Sequence, residues 1–129
     1  MASLTPSEKK LDRVFSQWVR YSAAGKRGYC KCVTCGKIAP PEDMHAGHYV
    51  DRTYKCTRWD ERNVHPQCVS CNTYHEGQKD EYALYLQKKY GVTVLEELNR
   101  AKHQICKYPD ILIKEMIREY MAKLKALNQ

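Results

Sequence analysis

The sequence lacks any long run of apolar residues. Hydrophobic types make up 43% of its 129 residues and only one residue is phenylalanine, and no stretch is long enough to span a bilayer. The first ten residues, Met1–Lys10, contain no apolar core of the kind that a secretory signal peptide needs. Internal repeats, low-complexity tracts and interdomain linkers are also absent. We therefore expect one small cytoplasmic domain over residues 1–129, without membrane association.

Acidic residues are in the minority. Lys and Arg number 22 against 15 Asp and Glu, which gives a formal net charge of +7 at pH 7. A basic domain of this size favours a polyanionic partner, and nucleic acid is the first candidate. The alternative is a mildly basic, solvated surface that has no specific partner.

Four of the seven cysteines form two Cys-x-x-Cys pairs. The pairs are Cys32-Val-Thr-Cys35 and Cys68-Val-Ser-Cys71. In a cytosolic chain such pairs indicate a metal site before they indicate a disulfide, and four thiolates predict a structural, tetrahedral Zn²⁺ site. A closed site of this kind has no open coordination position, so any catalysis must come from other residues. Reduced thiols without a metal are the alternative.

Three cysteines lie outside the two pairs. Cys30 is close enough to the first pair to compete as a ligand, but that pair has the spacing of a zinc knuckle. The pair is also followed by Gly36, which permits the turn that a knuckle requires. Cys56 and Cys106 are predicted to be separate, buried or surface thiols.

Capping signals and apolar periodicity predict an α+β domain that is mostly helical. Thr5-Pro6-Ser7-Glu8 is a capping box that begins an N-terminal helix within residues 1–28. Residues 29–78 contain the zinc knuckles, turn residues and two short β-compatible segments, around residues 48–50 and 63–65, and predict a zinc-stapled ββα centre. Residues 79–129 predict two to three C-terminal helices. The apolar stripe of the last helix indicates either core or a dimer seam.

Two blocks of this sequence resemble a known family. His45-Ala-Gly-His-Tyr49 and Glu61-Arg-Asn-Val-His65, continued to Asn72, are similar to the NinG/Rap recombination endonucleases of lambdoid bacteriophages, within the HNH and endonuclease VII-like group. The likeness extends over nearly the whole chain. It implies a ββα-metal (HNH-like) fold and a phage or prophage protein that acts in a host bacterial cell. It also implies hydrolysis of phosphodiester bonds in branched recombination intermediates such as D-loops and Holliday junctions.

The resemblance implies roles for individual residues. His48 would be the general base, Asn63 would fix the hairpin and orient that base, and Asn72 would bind a catalytic divalent metal, Mg²⁺ or Mn²⁺. Many HNH proteins have an acidic metal ligand directly before the base, where this chain has Gly47. NinG/Rap-like sequences can place an acid at the position of His45, which makes His45 a candidate ligand. An imidazole binds Mn²⁺ better than it binds Mg²⁺.

These residue types suit phosphodiester hydrolysis. A histidine with a near-neutral pKa can take a proton from water, and a divalent ion can neutralise charge on the phosphate and the leaving oxygen. Asn72 directly follows the second cysteine pair, so the structural zinc would fix where its amide points. The structural alternatives are an ordinary hydrogen-bonded His48, and Asn63 and Asn72 as turn and cap residues.

Basic residues interleaved with aromatic ones fall in or beside the predicted hairpin loop. Such a loop suits phosphate contacts and stacking on unpaired bases, and a solvated loop is the alternative. The residues predicted to contact DNA are Arg52, Lys55, Arg58 and Arg62.

Three further expectations concern assembly and activity. A homodimer formed along the last helix would help to cut both strands of a junction. The first alternative function is a zinc-stabilised DNA-binding or adaptor module without catalysis. The second is a less selective HNH nuclease.

Overall fold

The computed structural model describes residues 3–128 of the chain. Helices dominate this part, and they surround two small antiparallel sheets of two strands each. None of its helices is long and apolar enough to cross a bilayer. In chain order, the elements are α1 (Pro6–Ala24), β1 (Cys30–Lys31), β2 (Ile38–Ala39), β3 (Met44–His48), α2 (Lys55–Arg58), β4 (Val64–Cys68), α3 (Lys79–Tyr90), α4 (Val94–Lys102) and α5 (Asp110–Leu127).

Helix α1 begins at the predicted capping box. Thr5 Oγ1 accepts a hydrogen bond from the Glu8 backbone N–H at 3.1 Å, and Glu8 Oε1 accepts one from the Thr5 N–H at 3.0 Å. Two otherwise unpaired amides of the helix start are satisfied in this way. The apolar face of α1 packs against α5, and together they bury Leu11, Val14, Phe15, Val19, Ile113, Ile117 and Tyr120. The buried part of the last helix's stripe is therefore core.

Strands β3 and β4 form the central hairpin. They pair from Met44 opposite Cys68 to His48 opposite Val64, so β3 begins four residues before the predicted strand and β4 continues three residues beyond it. One face of the hairpin meets the α1–α5 core through Ala46 and Val64. The other face meets α3, whose Tyr82 donates a hydrogen bond to the Gly47 carbonyl at 2.7 Å. The hairpin is thus enclosed between an N-terminal and a C-terminal helix.

The chain changes direction sharply between the hairpin and α3. After β4 it makes a π-helical turn over Ser70–Tyr74 and then has positive φ at Glu76 (54°), Gly77 (85°) and Gln78 (49°). Two of these three residues are not glycine, and that backbone conformation is costly for them. Helices α3 and α4 then pack together over a separate apolar cluster, which buries Val50, Tyr82, Leu86, Val94 and Leu98.

The prediction that Cys56 and Cys106 are separate thiols is wrong. They form a disulfide, with Cα atoms 5.3 Å apart and a sequence separation of 50 residues. Helix α2, which carries Cys56, packs against α4, and Cys106 follows α4 closely. The fold therefore brings together two cysteines whose spacing in the sequence gives no indication of a pair.

Candidate zinc site and active-site cleft

The four knuckle cysteines converge at one point. The Sγ atoms of Cys32, Cys35, Cys68 and Cys71 all lie within 4.8 Å of one another. A tetrahedral zinc site with Zn–S bonds of about 2.3 Å needs sulfur separations of about 3.8 Å, and the Cys35 and Cys68 sulfurs are 3.6 Å apart. These four side chains can therefore bind a zinc ion.

Local backbone geometry makes each knuckle. Gly36 has φ +83°, a conformation that favours glycine, and its N–H donates to the Cys32 carbonyl at 2.9 Å. In the second knuckle the Cys71 N–H donates to the Cys68 sulfur at 3.4 Å. Burial opposes ionisation of Cys32, but hydrogen bonds from Thr34 and nearby backbone outweigh it and lower its pKa to about 6. The thiolate, which is the form that binds zinc, is favoured there.

Cys30 lies outside the sulfur cluster. Its side chain is buried in the same apolar cluster as Cys32, Cys68 and Cys71. Among the described residues, however, only the four knuckle cysteines bring their sulfurs together. Burial raises the pKa of the Cys30 thiol. Cys30 is therefore an uncharged core residue here, and the competition for zinc that its position suggested does not arise.

A cleft of about 850 Å³ opens beside β3. It brings together three of the residues predicted to act in catalysis or metal binding, His45, His48 and Asn72. Charged side chains of both signs share it. The charged residues that line it are Arg20, Asp51, Arg52, Glu76 and Lys79.

His48 stands at the end of β3 with one ring nitrogen already bonded. Its Nε2 lies 2.9 Å from the Arg58 carbonyl oxygen. Because a carbonyl can only accept, Nε2 carries the proton and Nδ1 keeps its lone pair. Burial, aided by the charges of Arg52 and Arg58, lowers the pKa of His48 to about 4, although the bond to the carbonyl opposes this. The ring is neutral at pH 7, with one nitrogen able to accept a proton.

Asn63 holds together the two ends of the loop between β3 and β4. Its side chain is fully buried. Its Oδ1 accepts from the Val50 N–H at 2.7 Å, and its Nδ2 donates to the carbonyls of Val50 and Thr57, each at 3.0 Å. Thr57 is next to Arg58, whose carbonyl binds His48. Asn63 therefore fixes the loop that orients the histidine without lining the cleft itself.

Asn72 lies beside His45. Asn72 Nδ2 is 3.0 Å from His45 Nδ1, so the two positions that the resemblance implied as metal ligands are neighbours across the cleft. Oxygen donors that suit a hard divalent ion are close by, because the carboxylates of Asp51 and Glu76 line the same cleft. These acidic groups and His45 do not converge into a compact set of three within the described chain. The donor types fit a divalent ion, but the donor atoms are too widely spaced to form a compact metal site.

The structure explains why no acid precedes His48. A Cβ added to Gly47 would lie 1.9 Å from Gln67 Oε1 and 2.7 Å from Gln67 Cδ. Gln67 is fully buried and donates from Nε2 to the Gly77 carbonyl at 2.8 Å and to Thr34 Oγ1 at 3.1 Å. The space that an acidic side chain would need at position 47 is therefore filled by Gln67.

The prediction that Arg58 contacts DNA needs correction. Only 8% of Arg58 is exposed. Its Nε and Nη2 donate to the two carboxylate oxygens of Asp12 at 2.9 and 2.5 Å, and Nη1 donates to the Arg52 carbonyl at 2.6 Å. The Trp59 indole N–H also donates to Asp12, at 2.9 Å. Arg58 ties the hairpin loop to α1, and its donors are used within the fold.

The other three residues predicted to contact DNA differ in their exposure and in whether they already form ion pairs. Arg52 is exposed and lines the cleft. Lys55 forms an ion pair with Glu8 at 2.6 Å, with about half of its side chain exposed. Arg62 forms ion pairs with Asp60 at 3.1 Å and Glu97 at 3.4 Å. Of the three, Arg52 is the one placed in the cleft.

Sequence reasoning missed the role of Lys79 in this cleft. The Lys79 ammonium donates to the backbone carbonyls of His48 and Tyr49, the latter at 2.8 Å. It thereby anchors the end of β3 to the start of α3. Thirty-one residues separate Lys79 from His48, and no local motif marks a contact of that kind.

Comparisons with known proteins show which family the chain belongs to. The family model described as Bacteriophage Lambda NinG protein matches residues 2–129. The chain belongs to the NinG family. Protein ninG of Salmonella phage P22 is 29% identical over an alignment of 123 residues, and the match covers 88% of this chain and 59% of that protein. Protein ninG of Escherichia phage lambda is 28% identical, with 88% and 58% covered. This NinG-family chain thus spans about three-fifths of the length of these curated relatives, and no solved structure matches it.

Proposed function

We propose that this NinG-family chain is a metal-dependent endonuclease that hydrolyses phosphodiester bonds in branched DNA, such as D-loops and Holliday junctions. The observation that carries the proposal is the cleft beside β3. There a neutral His48 held by the Arg58 carbonyl shares one cavity with the His45–Asn72 pair. Branch selectivity draws on the resemblance to NinG/Rap recombination endonucleases and not on the cleft.

In the proposed mechanism His48 acts as the base. Its Nε2–H stays bonded to the Arg58 carbonyl, so the ring keeps its orientation while Nδ1 accepts a proton from a water molecule. The positive charge that then forms on the ring is stabilised by the same carbonyl. Asn63 supports this step from a distance, because it fixes the loop that contains Arg58.

His45 and Asn72 would hold a divalent ion, together with a carboxylate of Asp51 or Glu76. When bound, the ion supplies positive charge that neutralises the scissile phosphate and the leaving oxygen. An imidazole in the donor set favours Mn²⁺ over Mg²⁺. Asn72 follows Cys71 directly, so zinc in the cysteine site would fix the position of the amide.

The charges of the cleft suit a phosphate backbone. Arg20, Arg52 and Lys79 line it together with only two acidic residues, and the whole chain carries a formal charge of +7. If several of these cations bind phosphates, DNA affinity will fall steeply as salt is raised.

The test compares a Holliday junction with a linear duplex of the same sequence, in the absence of divalent ions and with Mg²⁺ or Mn²⁺. We expect nicks near the branch that need a divalent ion. His48→Ala should abolish nicking while DNA affinity stays within about a few-fold of wild type. The matched control is His103→Ala, which removes an exposed histidine that does not line the cleft. Circular dichroism and zinc content must be unchanged in both variants.

A second function is favoured by one observation. Gly47 replaces the acidic ligand that many HNH proteins have before the base, and Gln67 fills the space beside it. A zinc-stabilised DNA-binding module without catalysis would need no such ligand. Binding of junction DNA without nicks in every divalent ion would establish this alternative. Equal cutting of duplex and junction would instead indicate a less selective nuclease.

We further propose that two copies act together on a four-way junction, since symmetric cuts on two strands suit a two-fold dimer. Several apolar side chains of α5 remain exposed after packing against α1, among them Ile111, Leu112, Met121 and Leu127. Light scattering with and without junction DNA would measure the number of copies, and a monomer on the cut junction would contradict a dimer.

A further inference from the structure

A second groove, of about 650 Å³, lies beside β4. The cleft described above lies beside β3, and these two strands form a two-stranded sheet, so the two cavities flank opposite edges of the same hairpin. The second groove is bounded by β1, by the C-terminal half of α1 and by the end of α3.

Aromatic side chains are concentrated in the second groove. Tyr29 is 47% exposed and Tyr90 is 36% exposed, and Trp18 and Tyr85 line the groove with part of their rings accessible. An aromatic ring that is fixed in a groove and reachable from solvent can stack on any unpaired base, because every base has a π-face.

The charge of the second groove is positive. Three exposed cations line it, namely Arg27, Lys31 and Lys89, against a single carboxylate, Glu61. That carboxylate is already engaged, because Glu61 Oε2 accepts from the Tyr120 hydroxyl at 2.7 Å and from the Lys123 ammonium at 3.3 Å. Of the three cations, Lys89 also donates to the Tyr85 hydroxyl at 3.4 Å. The groove thus combines exposed cations with stacking surfaces, as sites for single-stranded nucleic acid do.

We infer that the second groove binds an unpaired DNA strand that leaves the branch point, while the duplex arm to be cut occupies the cleft. This inference rests on the proposed function, since it names the part of a D-loop, the unpaired strand, that a linear duplex lacks. A strand on one edge of the hairpin and a duplex on the other would be held at a fixed separation. Selectivity for branched substrates that have an unpaired strand, such as D-loops, then follows from the simultaneous use of two sites on one small domain.

A chain of hydrogen bonds joins the second groove to the strand that carries His48. The Tyr90 hydroxyl lies 2.8 Å from His65 Nε2, and His65 Nδ1 lies 3.2 Å from the Tyr82 hydroxyl. Tyr82 in turn donates to the Gly47 carbonyl. Substitution of Tyr90 would therefore disturb β3 as well as the groove. Tyr29 is the better aromatic residue for a test.

The first experiment measures binding without divalent ions, by fluorescence anisotropy. The probes are a duplex with a single-stranded arm and the same duplex without the arm. The triple variant Arg27→Ala/Lys31→Ala/Lys89→Ala should bind the armed duplex about tenfold more weakly and the plain duplex nearly as wild type. The plot of log affinity against log salt concentration for the armed duplex should also become less steep. Its slope should decrease in magnitude by about 2, since each of the three lost phosphate contacts to a single strand contributes about 0.7.

The matched control removes three exposed cations of α5 that line neither cavity. It is Lys114→Ala/Arg118→Ala/Lys125→Ala, which changes the net charge by the same amount. We expect it to bind both probes as wild type does. If the groove variant and the control both bind the armed duplex and the plain duplex more weakly, and to the same extent, net charge accounts for the effect. The inference is then overturned.

The second experiment reports stacking directly. With 2-aminopurine placed in the arm, binding should quench its fluorescence. Tyr29→Ala should reduce the quenching, and Tyr29→Trp should restore it. The control is Tyr74→Ala, because Tyr74 is 77% exposed and lines neither cavity. Quenching that is unchanged in Tyr29→Ala would contradict stacking in this groove.

Failure of this inference can be told apart from failure of the proposed function. If wild type nicks junction DNA but the groove variant binds the armed duplex as tightly as wild type, only the inference about the second groove is wrong. If wild type binds neither probe, the proposed function fails and the inference fails with it.

Discussion

The close contact between Gly47 and Gln67 gives a prediction that can be worked through quantitatively. Alanine usually stabilises an interior strand position relative to glycine, because glycine loses more backbone entropy on folding. At position 47 the opposite should hold, since the new Cβ would overlap three atoms of Gln67, at 1.9, 2.7 and 2.9 Å. No real Cβ contact is that short, so the Gln67 side chain must move.

The cost of that movement follows from what Gln67 does. It is fully buried, and moving it breaks its hydrogen bonds to Gly77 and Thr34. Each such bond is worth about 0.5–1.5 kcal/mol, and overpacking a core adds about 1–3 kcal/mol. We therefore expect Gly47→Ala to lower the free energy of unfolding by about 3 kcal/mol.

A double-mutant cycle tests this explanation. Gln67→Ala empties the space above Gly47, so Gly47→Ala in that background should cost less than about 1 kcal/mol. Urea unfolding of the zinc-loaded proteins, followed by circular dichroism, gives the four free energies, with zinc content measured for each variant. The reasoning would be refuted if Gly47→Ala had the same cost in both backgrounds, or if it were as stable as wild type.

Three further predictions concern the zinc site, the hydrogen bonds of Asn63 and the buried His65. Cys32→Ser should no longer bind stoichiometric zinc, as measured by atomic absorption, and should lose its central fold, as wild type treated with a chelator should. Cys30→Ser should keep its zinc. Asn63→Asp should lower the free energy of unfolding in urea by about 2–4 kcal/mol, because a carboxylate oxygen would face the Val50 carbonyl where an amide N–H now donates. An unchanged free energy would contradict the role of Asn63 in fixing the loop. Burial, aided by a nearby lysine, lowers the pKa of His65 to about 4. Between about pH 6.5 and pH 4, His65 is therefore protonated in the unfolded chain but not in the folded chain. The free energy of unfolding falls as the pH drops through that window, by about 1 kcal/mol between pH 7 and pH 5.5. His65→Gln should remove this part of the pH dependence of unfolding, and an unaltered slope would count against it.

Local signals in the sequence predicted much of the fold. The capping box at Thr5 marks the start of α1, and the apolar stripe of α5 is core along its buried part. The two Cys-x-x-Cys pairs also predicted the convergence of four sulfurs, because each pair is a local turn with its own glycine or backbone hydrogen bond. Such features depend on residues a few positions apart, and so they can be read from a single sequence.

Contacts between distant segments could not be predicted in this way. Arg58 looked like a DNA contact in a basic loop, but Asp12, 46 residues away, pairs with it inside the fold. The disulfide of Cys56 joins residues 50 positions apart. Lys79 reaches the end of β3 from the start of α3. Each of these interactions depends on how the helices pack around the hairpin, and no spacing or periodicity encodes that packing.

The disulfide closes about two-fifths of this chain into a covalent ring that contains β4, α3 and α4. The second cysteine pair lies within the ring and the first pair lies outside it, so a bound zinc ion would clasp the ring to the N-terminal segment. A protease cut at any bond between Cys56 and Cys106 would therefore leave a single molecule. On a gel, the two pieces would separate only after a reductant had opened the ring.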